Sequence, residues 1–327
     1  MKTKKLISIS ILLITIFTIY YLYYPKQWEY IEHYQPYPVK LESRNYKYKN
    51  VSVQGNRIFL SDLANHIFIL DSSNLHNIVE LSQIILEGNI TDIKIYNDFL
   101  FVVNSKVGLQ IIDVTQPDNP IMVDTYFPTG EDGMFTTDLL ISGDTAFLQD
   151  QFGKKYLHIL DIHDPKNIET IALIQEGGYP LAIHRDLLVT DSAILGWNHK
   201  GINLFDISDL ENPQLIYYES AYGITTDADF NNGNLILATK TGVYSVDVSN
   251  PRNPIMLESH KLYYYNAVIQ NGKIFASVIL NLRVIDISKN MRIKLRRKMP
   301  QVRDIVYYEG YIYIADDTGL YIFEAEE

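Results

Sequence analysis

Acidic and amide side chains recur at the start of one short strand-like run in successive copies of a repeated segment. Aligned copies place Asn50, Asp92, Asp138, Pro180, Asp227, Asn266 and Asp304 at this point. If these runs line a central channel, the carboxylates of Asp92, Asp138, Asp227 and Asp304 form a polar collar at its mouth. Oxygen ligands of this kind suit a hard cation such as calcium, or a basic side chain. The alternative is local, because a short Asx side chain can accept the N–H groups of the turn that enters its own strand.

A second acidic position recurs at the end of a different run. It is occupied by Asp71, Asp113, Asp161, Asp206, Asp247 and Asp286. Each is followed by a turn rich in Ser, Thr, Pro or Asn, where a carboxylate can accept backbone N–H groups and stabilise the turn. One such residue per repeat cannot converge on a single ion. We therefore predict a structural role for this position.

Three connections near the middle of the chain are longer than their counterparts, at residues 129–135, 151–156 and 192–200. The order of the runs places all three on one face, together with the collar, and insertions gathered on one side of a repeat protein indicate a binding face. The candidate ligand or partner residues are Glu131, Asp132, Phe135, Phe152, Tyr156, Trp197, Asn198 and His199. Aromatic and amide groups together suit a peptide or a glycan, through stacking and hydrogen bonding.

The elements that position these residues are short strands in a repeat of about 42 residues. Each repeat carries four runs rich in β-branched and aromatic residues, separated by turns, which is typical of one blade of a β-propeller. Seven copies are visible, but the last one lacks its fourth run. Residues 38–43 (PVKLES) match residues 254–259 (PIMLES), a fourth run. We therefore predict an all-β, seven-bladed β-propeller that the N-terminal strand closes.

The most regular copies of the repeat resemble a known family. Residues 109–120 read LQIIDVTQPDNP, and residues 202–213 and 243–254 repeat the same pattern. This resembles the LVIVD repeat of bacterial surface and secreted proteins. The resemblance implies a β-propeller fold over residues 38–327, and it implies no catalytic residues.

The first 25 residues form a separate segment. Three lysines precede residues 6–24, an uncharged run of 19 residues that would rise about 28 Å as a helix and so span a bilayer. The positive-inside rule then predicts a single-pass transmembrane signal-anchor with the propeller on the extracytoplasmic side of the cell membrane. If the segment is instead a cleaved signal peptide, the protein is secreted. The predicted organisation is an anchor at 1–25, a linker at 26–37 and a propeller at 38–327.

Composition and motifs narrow the functional classes. The chain has no cysteine, which excludes a disulfide scaffold and thiolate chemistry, and its net charge of -11 argues against nonspecific nucleic-acid binding. Sequence motifs for a serine nucleophile, a zinc helix or a phosphate loop are missing. We therefore expect a monomeric, non-catalytic binding or scaffolding module whose partner is a protein, a peptide or an envelope glycan. The alternative is a calcium-assisted hydrolase or lyase that acts on an envelope glycan at the collar carboxylates.

Overall fold

The computed structural model describes most of the chain beyond the first 36 residues. The described residues are 37–38, 47–128, 136–150, 155–191, 201–261, 267–270, 273–278, 281–286, 292–298 and 302–324. Within them the regular structure consists entirely of β-strands.

The strands group into blades in chain order. Blade 1 holds Tyr48–Gln54 (β2), Arg57–Asp62 (β3), His66–Asp71 (β4) and Val79–Ile85 (β5), and blade 2 holds Ile90–Tyr96 (β6), Phe99–Asn104 (β7), Gly108–Asp113 (β8) and Ile121–Tyr126 (β9). Blade 3 holds Thr136–Ser142 (β10), Thr145–Asp150 (β11), Tyr156–Asp161 (β12) and Glu169–Gln175 (β13), and blade 4 holds Pro180–His184 (β14), Leu187–Asp191 (β15), Ile202–Asp206 (β16) and Gln214–Glu219 (β17). Blade 5 holds Thr225–Asn231 (β18), Asn234–Thr239 (β19), Gly242–Asp247 (β20) and Ile255–His260 (β21), and blade 6 holds Ala267–Gln270 (β22), Lys273–Val278 (β23), Asn281–Asp286 (β24) and Arg292–Lys298 (β25). Blade 7 combines Val302–Tyr308 (β26), Tyr311–Asp316 (β27) and Gly319–Glu324 (β28) with Tyr37–Pro38 (β1).

The strands pair into four-stranded antiparallel sheets. Six sheets each use four consecutive strands, and the seventh has the order β1-β28-β27-β26. Each innermost strand lies beside the innermost strand of the next blade, and β26 lies beside both β22 and β2. The ring is therefore closed, and the all-β propeller that the repeat predicts is confirmed.

Apolar side chains on both faces of each sheet fill the seams between blades. In the seam between blades 1 and 2, Phe59 and Ile69 pack against Ile93 and Leu100, and all four are fully buried. Because a blade is covered on both sides, its middle strands are apolar at nearly every position rather than at alternate ones. This explains the continuous apolar runs of the third strands.

The N-terminal strand completes blade 7. Tyr37 pairs with Ile322 and Pro38 with Tyr321, antiparallel to β28. The closing strand was predicted at residues 38–43, and the structure describes it at 37–38, so it begins one residue earlier than predicted. Residues 39–43 lie outside the described part of the chain.

The repeated acidic position at the end of the third strand builds turns, as predicted. Oδ1 of Asp113 accepts the Thr115 N–H at 3.0 Å and the Thr115 hydroxyl at 2.7 Å. These bonds hold the pKa of the Asp113 carboxyl below its usual value. In the same way, the backbone N–H two residues further along the chain donates to the carboxylates of Asp71, Asp161, Asp206 and Asp247.

Replacing Asp113 with alanine should therefore lower the thermal midpoint without affecting ligand binding. The two lost hydrogen bonds at a largely exposed turn correspond to about 0.5–1.5 kcal/mol of unfolding free energy. Differential scanning calorimetry at pH 7 measures this loss. Because the pKa is depressed in the folded state, the contribution is present above the ordinary Asp pKa and disappears as the pH falls below it. Loss of binding at unchanged stability would contradict the structural role.

The predicted membrane anchor at residues 1–25 lies outside the described residues. Within the described ranges, which begin at Tyr37, no helix has the length and apolar character needed to span a bilayer.

Candidate functional site

A β-bulge in the innermost strand positions each collar residue. The register between the first two strands of a blade shifts between Ile90 and Asp92, and equivalent shifts precede Asn50, Asp138, Asp227 and Asp304. A bulge leaves one residue unpaired and re-aims the side chains that follow it. The sequence-predicted collar residues therefore share one structural position in five blades. In blade 4 the shift falls between Pro180 and Ala182, so Ala182 occupies the collar position and the predicted assignment of Pro180 to it is wrong. Asn266 lies outside the described residues.

The collar carboxylates accept backbone N–H groups in two ways. Each binds the N–H of the next residue in its own strand, as Asp92 does with Ile93 at 2.8 Å. Two of them also bind the following blade: Oδ2 of Asp304 accepts the Val51 N–H at 2.8 Å, and Oδ2 of Asp92 accepts the Leu139 N–H at 3.3 Å. The local role that the sequence left open is thus present, and it extends to a bond between neighbouring blades.

A lysine lies among these carboxylates. The Lys94 Nζ atom is 3.2 Å from Oδ1 of Asp92, and its charge also interacts with Asp138, Asp227 and Asp304. Lys94 follows Asp92 by two residues on the same strand, so both side chains leave the same face. The ring of acidic groups therefore surrounds a cation that the chain itself provides.

Burial and mutual repulsion make Asp138, Asp227 and Asp304 hard to ionise. Burial, reinforced by the charge of Asp92, raises the pKa of Asp138 to about 8, although Lys94 opposes the shift. Burial likewise raises the pKa of Asp304 to about 6 and raises that of Asp227 well above its ordinary value. Burial alone would lower the pKa of Lys94, but the neighbouring carboxylates outweigh it and raise that pKa.

This arrangement can release protons when a cationic group binds. At neutral pH part of the ring is protonated, so an approaching cation can be stabilised by carboxylates that give up their protons. Within the described ranges, no group of three or more His, Cys, Asp or Glu side chains is placed to hold a metal ion. The metal role of Asp92, Asp138, Asp227 and Asp304 remains a prediction.

The predicted partner face is described mainly through its flanks. Thr136, which follows the first long connection, pairs with Asp150, which precedes the second. Asp191 and Ile202, on either side of the third connection, also pair with each other. All three connections therefore adjoin the collar side of blades 3 and 4. Tyr156 begins β12 and contacts the His158 ring edge-on, with centroids 6.3 Å apart. The other candidate residues lie outside the described part: Glu131, Asp132, Phe135, Phe152, Trp197, Asn198 and His199.

Lys94 is a functional candidate that the sequence analysis missed. Two positions after the collar position, the other blades carry Ser52, Leu140, His184, Asp229, Val268 and Val306. Lys94 is the only lysine or arginine in this column, and that contrast is a signal that the sequence contains.

The family comparison agrees with these repeats. The LVIVD repeat model matches residues 47–84, 87–127, 238–261 and 301–323, which fall in blades 1, 2, 5 and 7. The chain contains LVIVD repeats and folds as a β-propeller. No curated protein matches its sequence.

Solved structures show the same fold as this LVIVD-repeat propeller. The WD40 β-propeller domain of Doa1 superposes with a TM-score of 0.68 at 12% identity, covering 90% of this chain and 97% of that one. The computationally designed Ika8 protein gives a TM-score of 0.61 at 11% identity over 87% and 98% of the two chains. Saccharomyces cerevisiae Sqt1 gives 0.59 at 8% identity over 90% and 98%. Identities this low show a shared fold alone.

Proposed function

We propose that this protein is a binding or scaffolding module that engages its partner through the collar face of blades 3 and 4. The observation that carries the proposal is the ring of Asp92, Asp138, Asp227 and Asp304 around Lys94. Three of these carboxylates have raised pKa values, so the ring is costly to keep charged in the absence of a ligand. Groups held at such a cost are typical of functional sites.

The chemistry of the ring favours a partner that presents a basic group. Its innermost part is rich in acceptors, and the protein as a whole carries a net charge of -11. The long connections at 129–135, 151–156 and 192–200 would supply aromatic and amide contacts around it. A protein or peptide with an exposed Lys or Arg side chain fits this combination, since buried acidic groups gain most from a fully desolvated cation.

A shortened connection tests the binding face. Residues 192–200 are replaced by a short Gly-Ser link in the full-length protein, and both forms are immobilised and exposed to an envelope extract. A partner identified with the parent is then purified and its affinity measured. We expect at least a tenfold weaker Kd for the shortened form at an unchanged melting temperature, because the connection supplies contacts to the partner.

The matched control is Asp113→Ala, which alters a turn on the opposite face. It should bind as the parent does. If the shortened protein binds equally well, or if Asp113→Ala weakens binding to the same extent, the collar face is not the binding face. Conversion of an envelope glycan that Asp138→Asn abolishes would favour the hydrolase or lyase instead.

We further propose that residues 1–25 anchor the propeller on the extracytoplasmic side of the cell membrane. The support is the uncharged run at 6–24 with its preceding lysines. The chain has no cysteine, so a single Lys240→Cys variant at an exposed turn gives a unique label. A membrane-impermeant maleimide should label it on intact cells, in the membrane fraction. Labelling only after lysis would contradict this orientation.

A further inference from the structure

The seam between blades 3 and 4 contains buried acceptors that its apolar surroundings do not explain. Phe147 and Leu157 of blade 3 pack there against Leu188 and Phe205 of blade 4. Two residues nearer the collar on each side, the seam holds Gln149 and Asn203, which are 2% and 1% exposed. Side chains two residues apart on a strand share a face, so both amides point into this seam.

Both amides use their nitrogen and leave their oxygen unused. Gln149 Nε2 donates to the Asp150 carbonyl at 2.8 Å. Asn203 Nδ2 donates to the Thr190 hydroxyl and to the Asp191 carbonyl, each at 3.2 Å. The nitrogen contacts fix the orientation of each amide. Gln149 Oε1 and Asn203 Oδ1 have no hydrogen-bond partner among the described residues.

A carboxylate shares this seam. Asp138 pairs directly with Gln149 across the first two strands of blade 3, so both side chains leave the same face of the sheet. Of the hydrogen bonds described for the chain, its carboxylate accepts one, from the Leu139 N–H at 3.1 Å. The equivalent carboxylates Asp92 and Asp304 also accept an N–H from the following blade. This seam therefore has more unsatisfied acceptor capacity than the seam between blades 2 and 3 or the seam between blades 7 and 1.

The amide is specific to blade 3. In the four other blades whose collar carboxylate or amide is described, the residue opposite it is Ser61, Val103, Ala238 or Ala315. A polar amide oxygen buried without a partner destabilises the folded state, and two such atoms lie in one seam. A ligand that accepts lone pairs would remove this cost, and a hydrogen-bonded water would remove part of it.

We propose that the collar end of the seam between blades 3 and 4 is a calcium site, formed by Gln149 Oε1, Asn203 Oδ1 and the Asp138 carboxylate. Calcium prefers carboxylate and amide oxygens, binds six to eight of them and completes its shell with water. The ligand atoms are buried, which suits a small ion better than the side chain of a partner. The site differs from a collar ion held by the four aspartates, because it depends on neutral amides between two blades.

Calorimetric titration of the full-length protein with calcium chloride tests the site. We expect one ion per chain, with a Kd in the range of about 10⁻⁵–10⁻³ M, and a rise in melting temperature that EDTA reverses. Gln149→Leu and Asn203→Leu should each weaken calcium binding at least tenfold. Without calcium, both variants should melt close to the parent, because each removes a buried unpaired oxygen together with the hydrogen bonds that the amide nitrogen donates.

Two control variants distinguish this site from an ion held elsewhere in the propeller. Gln110 occupies the position in the third strand of blade 2 that Asn203 occupies in blade 4, and its amide oxygen already accepts a hydrogen bond from Asn104 Nδ2 at 3.0 Å. The Gln110→Leu variant should therefore bind calcium as the parent does. Asp304→Asn alters the collar outside this seam and should also leave calcium binding intact.

The proposal is overturned if no calcium binds at about 10 mM, or if Gln149→Leu binds like the parent. Loss of binding in Asp304→Asn alone would place the ion in the collar instead, and unchanged stability with calcium in every form would indicate a buried water.

Discussion

Replacing Lys94 with methionine should lower the free energy of unfolding by about 1–3 kcal/mol at pH 8. The substitution keeps most of the aliphatic volume and removes the charge that faces Asp92, Asp138, Asp227 and Asp304. Removing one partner of a buried charge pair costs about 3–5 kcal/mol. The Lys94 side chain is 36% exposed, so solvent screening reduces the expected loss. Urea unfolding at pH 8 and pH 5 measures it.

The loss should be smaller at pH 5 than at pH 8. At pH 5 Asp138 and Asp304 are largely protonated in the folded protein, because their pKa values are about 8 and about 6. Fewer charges then depend on the lysine. Lys240→Met, at an exposed turn, is the matched control and should leave stability unchanged at both pH values. An equal effect of Lys94→Met at both pH values would show that its charge does not compensate the ring.

Replacing Asp138 with asparagine should stabilise the protein at neutral pH, by about 2–4 kcal/mol. The folded-state pKa of about 8 lies above the ordinary value of 3.8, so the unfolded chain releases this proton more readily. Between pH 3.8 and pH 8 the folded state therefore loses stability as the pH rises. Asparagine resembles the protonated acid, cannot titrate, and still offers an oxygen to the Leu139 N–H.

The gain from Asp138→Asn should be close to zero near pH 4 and should grow up to about pH 8. Thermal unfolding across this range gives the profile directly. Asp118→Asn, in an exposed turn, removes the same formal charge and should produce no comparable gain. If Asp138→Asn is neutral or destabilising at pH 7, the carboxylate is ionised and hydrogen-bonded in the folded protein, and it does not lower the free energy of unfolding.

The repeat pattern was sufficient to predict the fold because each blade uses the same local rules. An apolar third strand that ends in an acidic residue is visible in every copy, and a strand missing at one end of the chain can be searched for at the other. The collar aspartates were predictable for the same reason, since an aligned column of a repeat occupies one structural position. The charges of Asp92, Asp138, Asp227 and Asp304 all interact with that of Lys94.

Features that break the repeat were harder to predict. Lys94 occurs in one blade, whereas an alignment of equivalent positions draws attention to residues that recur. The buried amides Gln149 and Asn203 come from different strands of neighbouring blades, and only the register and facing of both strands bring them into one seam. Periodicity alone cannot supply this information, because a shift of one residue would point either amide to the opposite face.

The composite blade also sets an order of events during biosynthesis. Tyr37 is among the first propeller residues to leave the ribosome, whereas its partner Ile322 is among the last. Blades 1 to 6 can pair their own strands as they emerge, but β1 has no partner until synthesis is nearly finished. Completion of the ring is therefore a late, long-range step, whose rate is governed by the meeting of two distant chain segments rather than by the folding of any single repeat.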